Sequence, residues 1–465
     1  MSLVVMKFGG TSVGSAAAIE AVAAITREQR AGWDRVVVVV SAMSGVTDVL
    51  LQGAHTAAAG DHATYPVIAQ RLREKHAAVL AELPAPQDGA AVRAEVERLV
   101  DEFELLCHSV HVLGEASPRA LDAIASLGER MSARVVAATL RARGIPAEAV
   151  DATEFVITTA DFGNAIPLQE QTQARTKARL GPLLEAGVVP VVTGYIGATE
   201  GGATTTLGRG GSDYSAAIVG AALDADEVAI YTDVDGVMTT DPRLAPDAQV
   251  IPVLSYAEMS ELAYFGAKVL HPRTIRPVVA RRIPLRIRNT FNPAHQGTLV
   301  LSEAPPGNRP VRAVSSIRNM SLITVEGRGM IGVPGVAART FGAVASVGAN
   351  VLMISQASSE QSICFVVLAS AAPEVLRALE EGLSQELARR DIDRIWARDD
   401  VVIVTAVGAG MRETPGVASQ VFSALAEQRI NVIAIAQGSS ECAISMVVKA
   451  ADADAAVRAI HALTV

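Results

Sequence analysis

Short apolar runs alternate with longer segments of helical period through the first three hundred positions of the chain. The runs are LVVMKF (3–8), RVVVVVSA (35–42), IPAEAV (145–150), VVPVVTGYIG (188–197), EVAIYTDV (227–234) and PLRIRN (284–289). Most lack polar alternation, the pattern of strands covered on both faces. Helical segments between them predict an α/β domain, an open and mainly parallel sheet with helices on both faces. Residues 49–143, between the second and third runs, read as mostly helical, with ELPAPQDG (82–89) as a loop within them.

The alternation stops at EAPPGNRP (303–310), where proline and glycine mark a boundary. Beyond it, residues 327–367 are repeated in 408–448 at a constant offset of 81. Gly329 aligns with Gly410, Pro334 with Pro415, Asn350 with Asn431, Gln356 with Gln437 and Glu360 with Glu441. Each copy reads as strand, loop, helix, two-strand hairpin and helix. Two copies are too few for a solenoid, so a paired α+β module is expected. The strand-like IDRIWAR (392–398) follows the first copy and has no counterpart after the second, which predicts strands shared between them. The expected division is a domain over 1–303 with a helical insert at about 50–143, a linker at 304–315, and two modules at 316–398 and 399–465.

Four polar, glycine-containing loops follow predicted strands, where open α/β sheets bind ligands. They are KFGGTSVGS (7–15), SAMSGVTD (41–48), TTTLGRGGSDYSA (204–216) and YTDVDGVMTTDPR (231–243). The first has the shape of a phosphate cradle but is not a Walker loop, because its lysine precedes the glycines. Arg209, between glycines, suits a carboxylate clamp, and Asp213 and Asp233 suit Mg²⁺–phosphate or the orientation of Lys7. Asp235 and Asp241 read first as turn residues. This set fits phosphoryl transfer, which depends on positioning and charge neutralisation. None of the four loops contains histidine, so no general base is evident for an alcohol acceptor. A carboxylate acceptor needs none, being ionised at neutral pH.

Charge and composition narrow the field. A net charge of −9 argues against a general nucleic-acid binder. Cys107, Cys364 and Cys442 form no disulfide framework, and Met1–Met6 is too short for a signal-peptide core, so a cytoplasmic protein without membrane spans is expected. Five histidines of the insert (55, 62, 76, 108 and 111) lack convincing ligand partners, and no resident metal site is expected. Only five of the 40 basic residues are lysines. Lys7 and Lys268 sit in apolar, glycine-containing stretches, whereas Lys75, Lys177 and Lys449 read as surface residues. The literal G-x-G-x-x-G at Gly327, Gly329 and Gly332 lacks the acidic residue of a dinucleotide fold, since NVLMISQ ends in Gln356. It reads instead as a loop lining a small-ligand groove.

Taken with the Gly128–Glu129 pair and FGAKVLHP (265–272), the four loops resemble those of the aspartokinases in the amino-acid kinase family. The repeat, with ISQASSEQSI and IAQGSSECAI, resembles their tandem ACT domains, ferredoxin-like α+β modules. The resemblance covers essentially the whole chain. It implies ATP-dependent, Mg²⁺-assisted phosphorylation of the L-aspartate β-carboxylate, the first step of lysine, threonine and methionine biosynthesis. Carried over by position, Lys7 and Asp213 would be catalytic, and Ser41, Thr47, Glu129, Arg209, Gly210, Gly211 and Ser212 would bind aspartate. Lys7, Gly9, Gly10, Thr232, Asp233, Met238, Arg243, Lys268 and Val269 would surround ATP. Asn350, Gln356, Asn431 and Gln437 would bind an effector amino acid, threonine ahead of lysine. The ACT domains would pair subunits into a homodimer, with a tetramer as a further assembly. The alternative is an amino-acid sensor with an inactive kinase domain; an altered Lys7, Arg209 or Asp213 would have supported it, and all three are present.

Overall fold

The chain is described by a computed structural model covering residues 1–84, 89–266, 270, 274–305, 309–330, 333–356, 361–438 and 440–464. Its apolar runs become adjacent strands: β1 (Leu3–Phe8), β2 (Arg35–Val40), β3 (Ala147–Val150), β4 (Val189–Thr193) and β5 (Glu227–Thr232). With β6 (Val253–Ser255), β7 (Leu285–Asn289) and β8 (Thr298–Leu301) they form an eight-stranded sheet ordered β3-β4-β2-β1-β5-β7-β8-β6. Only β7 and β8 pair antiparallel. All six residues of β1 are buried, as expected for a central strand covered by helices on both sides. Lys7 is registered between Val39 of β2 and Ile230 of β5, so it sits at the middle of the sheet's C-terminal edge.

One predicted strand is broken. The run 188–197 ends as β4 at Thr193, and Ile196–Thr199 joins a separate three-stranded sheet. The cause is Tyr195, whose backbone is left-handed (φ 69°) and redirects the chain. Its N–H is held by Ser215 Oγ at 2.9 Å.

The insert contributes α2 (Val46–Ala58), α3 (Thr64–Glu82), α4 (Gly89–Leu113) and α5 (Pro118–Ala142), after α1 (Ala16–Gly32). Part of the predicted loop at 82–89 lies outside the described residues. Helix α5 buries one long face against the sheet and carries Glu129 into the interior. Two further helices, α6 (Gln169–Glu185) and α7 (Gly211–Ala222), extend the helical layers, and a short helix at Arg276–Arg281 packs against α7. Among the described residues no helix is long and apolar enough to cross a membrane.

The chain divides into two units. Residues 1–237, 250–256 and 269–303 form the first, and 238–249, 257–268 and 304–465 the second. Two segments from within 1–303 therefore group with the C-terminal unit. Thr239 Oγ1 lies 2.8 Å from His461 Nε2, and buried Glu258 accepts from the Ala409 N–H at 2.8 Å.

The second unit is built on two long antiparallel strands, β9 (Ala313–Glu326) and β12 (Arg394–Val407). Around them lie β10 (Met353–Gln356), β11 (Ser362–Leu368), β13 (Ala434–Gln437) and β14 (Ala443–Lys449), in the order β10-β11-β9-β12-β14-β13. Asn319 and Asp400 are left-handed near the middle of the long strands, and the β9 ladder shifts register at Ile317–Met320. The second half of β9 pairs with β11, and the second half of β12 pairs with β14. Each first half instead runs along the partner module, Ala313–Ile317 beside Ile403–Val407 and Arg394–Arg398 beside Leu322–Glu326. Each module has its own apolar core, one around Phe365 and Leu379 and the other around Met446 and Val457, and a third cluster gathers Val366, Ile403 and Val447. The glycines of the G-x-G stretch serve this packing. A Cβ on Gly327 would lie 2.2 Å from the Asp391 carbonyl oxygen, and one on Gly329 2.6 Å from the Asp391 Cα.

Candidate functional site

Where β1, β2 and α7 converge, a cleft of about 700 Å³ opens at the C-terminal edge of the large sheet. The strand geometry delivers Lys7 to it with little exposure, 9 %. Its ammonium meets Asp213 Oδ1 at 2.6 Å, in the first turn of α7. A lysine buried this far needs such a partner. Gly9 and Gly10 follow at once, and the Gly9 N–H donates to the Tyr231 carbonyl at 3.3 Å. Gly10 has no room for a side chain, since a Cβ would lie 3.0 Å from the Ala42 carbonyl oxygen. The same loop is tied to the end of β7 through Ser12, whose hydroxyl lies 2.6 Å from that of Thr290.

Glu129 enters the cleft from α5 and is 3 % exposed. One carboxylate oxygen accepts from the Ala42 N–H at 3.1 Å. The other is buried with no hydrogen-bond partner. Burial pushes the Glu129 carboxyl up to about 8, opposed by the hydrogen bond from Ala42. A cationic group placed beside the open oxygen would both satisfy it and draw off its proton. Across the cleft stand Arg209, Gly210, Gly211 and Ser212, the last two opening α7, whose N-terminus favours anions. Ser41 and Thr47 line the near wall. A cation-seeking carboxylate, a guanidinium and an ammonium thus share one space, an arrangement suited to a zwitterion with an extra acid and to a moving phosphoryl group.

The predicted residues do not all gather there. Thr232 and Asp233 lie at the end of β5, on the same sheet edge, with the Thr232 hydroxyl donating to Asp233 at 3.1 Å. Asp235 is gripped by Asn289 and Asn292 side-chain amides at 2.8 and 3.0 Å. Asp241 is a turn residue, accepting from the Arg243 N–H at 2.9 Å. Met238 and Arg243 belong to the segment grouped with the C-terminal unit, and the exposed Arg243 guanidinium turns back on Asp241 at 2.6 Å. Lys268 and Val269 lie outside the described residues.

In the C-terminal unit, Gln356 at the end of β10 borders a groove of about 340 Å³. Met330, Val333, Pro334, Val336 and Ile363 supply its apolar walls. Met330 of the G-x-G-x-x-G segment borders this groove, and Gly332 lies outside the described residues. Gln437 ends β13 in the repeat-related position, and Asn350 and Asn431 are exposed just before the two hairpins. In the second module the Glu413 N–H is taken by the Glu441 carboxylate at 3.1 Å; the repeat-related Gly332 and Glu360 lie outside the described residues.

Residues 2–289 match the amino acid kinase family, and 323–383 and 404–463 match the ACT domain. Aspartokinase 2 of Arabidopsis thaliana is 33 % identical over 98 % of this chain and 83 % of its own. The chain belongs to the aspartokinase family. A bifunctional aspartokinase/homoserine dehydrogenase of Arabidopsis thaliana is 39 % identical over 98 % of this chain, which spans only 50 % of that relative's length. Among solved structures, E. coli aspartokinase III in complex with aspartate and ADP superimposes with a TM-score of 0.81 at 32 % identity, over 99 % of both chains. The same enzyme with lysine and aspartate gives 0.78.

Two residues of this aspartokinase-family site escape a reading of the sequence. Asp122 is buried on α5 and accepts from Gly163 N–H, Thr206 N–H and the Thr206 hydroxyl at 2.7–2.9 Å, which ties down loops flanking Arg209. Its signal was the spacing of seven from Glu129, which puts two acids on one apolar helix face. Lys75, expected at the surface, reaches the cleft wall at Ser44. The scarcity of lysine was the only hint.

Proposed function

We propose that this chain is an aspartate kinase that converts L-aspartate and ATP to 4-phospho-L-aspartate and ADP. The observation that carries the reading is the Lys7–Asp213 ion pair set in the same cleft as Glu129 with its buried, unpartnered oxygen. In this account Glu129 receives the substrate ammonium and Arg209 its α-carboxylate, with Ser41, Thr47 and Gly210–Ser212 closing around it. The β-carboxylate is left facing Lys7. A β-carboxylate oxygen bonds to the γ-phosphorus as the bond from that phosphorus to the ADP oxygen breaks, and no proton has to be removed. Lys7 neutralises the phosphoryl oxygens in flight, Asp213 holds Lys7 in place, Gly10 offers a backbone N–H group, and Gly9, whose own N–H is held by Tyr231, lets the nucleotide approach the loop closely. Thr232, Asp233, Met238, Arg243, Lys268 and Val269 surround the nucleotide, and Mg²⁺ travels with it, chelated by its phosphates.

The groove beside Gln356 receives an effector amino acid, threonine in preference to lysine, with Asn350, Asn431 and Gln437 as further contacts. The glutamine at each repeat supports this reading. A homodimer through the ACT domains accords with the exposed Ile354 and Ile435 on the terminal strands β10 and β13, and native mass measurement tests it. Trapping of acyl phosphate as the hydroxamate tests the activity. Product is expected from L-aspartate with MgATP and not from L-glutamate, and product formation is expected to fall with threonine. No product from L-aspartate overturns the reading.

A further inference from the structure

Lys75 leaves α3 of the helical insert and donates to the Ser44 carbonyl at 2.6 Å, across 31 positions of sequence. Ser44 lies in the turn between β2 and α2 and forms part of the cleft wall. Its own N–H donates to the Gly10 carbonyl at 3.1 Å. Gly10 is packed against it so closely that a Cβ would lie 3.4 Å from the Ser44 nitrogen. Both backbone groups of one residue are therefore held, one by the glycine loop and the other by the insert.

The charge is oddly placed for a merely structural contact. Lys7 and Lys177 each meet a carboxylate, whereas Lys75 forms no ion pair among the described residues. It stands beside the start of α2, the positive end of that helix dipole, where a cation is disfavoured. An anion bound in the cleft offsets both terms. Hydrogen bonding to a carbonyl alone does not require an ammonium, because a neutral donor would serve.

We propose that Lys75 is a positioning residue for phosphoryl transfer: it clamps Ser44, thereby fixes the Gly10 peptide that cradles the phosphate, and adds positive field at the rim of the cleft. The proposal rests on the kinase reading above. It gives the helical insert a part in the chemistry, since movement of α3 would loosen the glycine loop without touching Glu129 or Arg209.

The test is steady-state kinetics of the full chain with Lys75→Met and Lys75→Arg beside wild type. Lys75→Met is expected to lower kcat about tenfold and raise the KM for MgATP about fivefold, with the aspartate KM within about twofold. Lys75→Arg is expected to restore most of both losses. Should Lys75→Met fail to fold, Lys75→Gln keeps a donor without the charge and carries the same comparison. A neutral variant whose melting temperature falls while its kcat and MgATP KM stay within about twofold of wild type overturns the proposal, leaving a structural prop. An arginine variant no better than the neutral one also overturns it. If wild type itself forms no acyl phosphate, the kinase reading fails first; if wild type is active and only the Lys75 effects are missing, that reading stands and this proposal alone falls.

Discussion

The cleft of the large unit and the groove of the first ACT module, the two sites proposed for small ligands, are built on opposite physical terms. In the cleft the key groups are ionisable and nearly dry: Lys7 is 9 % exposed, Glu129 3 %, and the lysine is held by a carboxylate at 2.6 Å. In the groove the walls are Met330, Val333, Pro334, Val336 and Ile363, and the one side-chain amide, Gln356, is exposed. A buried charge that loses its partner is penalised by several kcal/mol, because water cannot replace it. A neutral hydrogen bond at an open edge is worth about 1 kcal/mol. The cleft should therefore fail abruptly when altered and the groove gradually, and the two failures should appear in different kinetic constants.

The largest effect is expected from Lys7→Ala, a loss of about a thousandfold in kcat with the aspartate KM changed only a few-fold. A loss confined to KM would break the contrast, because it would make Lys7 a binding group. Next comes Glu129. In the free protein its carboxyl, pushed up to about 8 by burial, is neutral below that pH and must ionise to receive an ammonium. Aspartate binding then releases a proton, so affinity rises with pH. The aspartate KM of the wild type is expected to fall about tenfold from pH 6.5 to 8. Glu129→Gln should raise that KM by a similar factor at pH 8 and flatten the profile. A wild-type KM that rises over this range contradicts the assignment.

Smaller effects belong to the groove. Gln356→Ala should raise the half-inhibiting effector concentration about fivefold at unchanged uninhibited kcat. Gln437→Ala should raise it by less, about twofold, because Gln356 and not Gln437 borders the described groove. Dose–response curves with threonine and with lysine check both. Equal shifts would mean that the two ACT modules contribute alike.

What the sequence disclosed followed the range of the interactions. The glycine loops and buried strands are local patterns that marked Lys7, Arg209 and Asp213, whereas Glu129 entered only through the family resemblance; all four line one cleft. The break at Tyr195 was invisible, because a tyrosine in left-handed backbone is set by the Ser215 hydroxyl twenty residues away. Lys75 depended on how α3 packs over the β2–α2 turn, which no periodicity encodes. The same holds for residues 238–249, whose place beside His461 is a tertiary contact across 222 positions. The halves of β9 and β12 were partly legible, since the first copy of the repeat was followed by a strand and the second was not.

The central claim is that one cleft joins the β-carboxylate of aspartate to the γ-phosphoryl group of ATP through Lys7. Its most direct test is the ratio of ADP released to hydroxylamine-trapped aspartyl phosphate, measured in parallel for the wild type and Lys7→Ala, with and without L-aspartate. The account predicts one ADP per acyl phosphate, dependence on aspartate, and loss of both products in the variant. ADP released at the same rate without aspartate, or undiminished in Lys7→Ala, would contradict it.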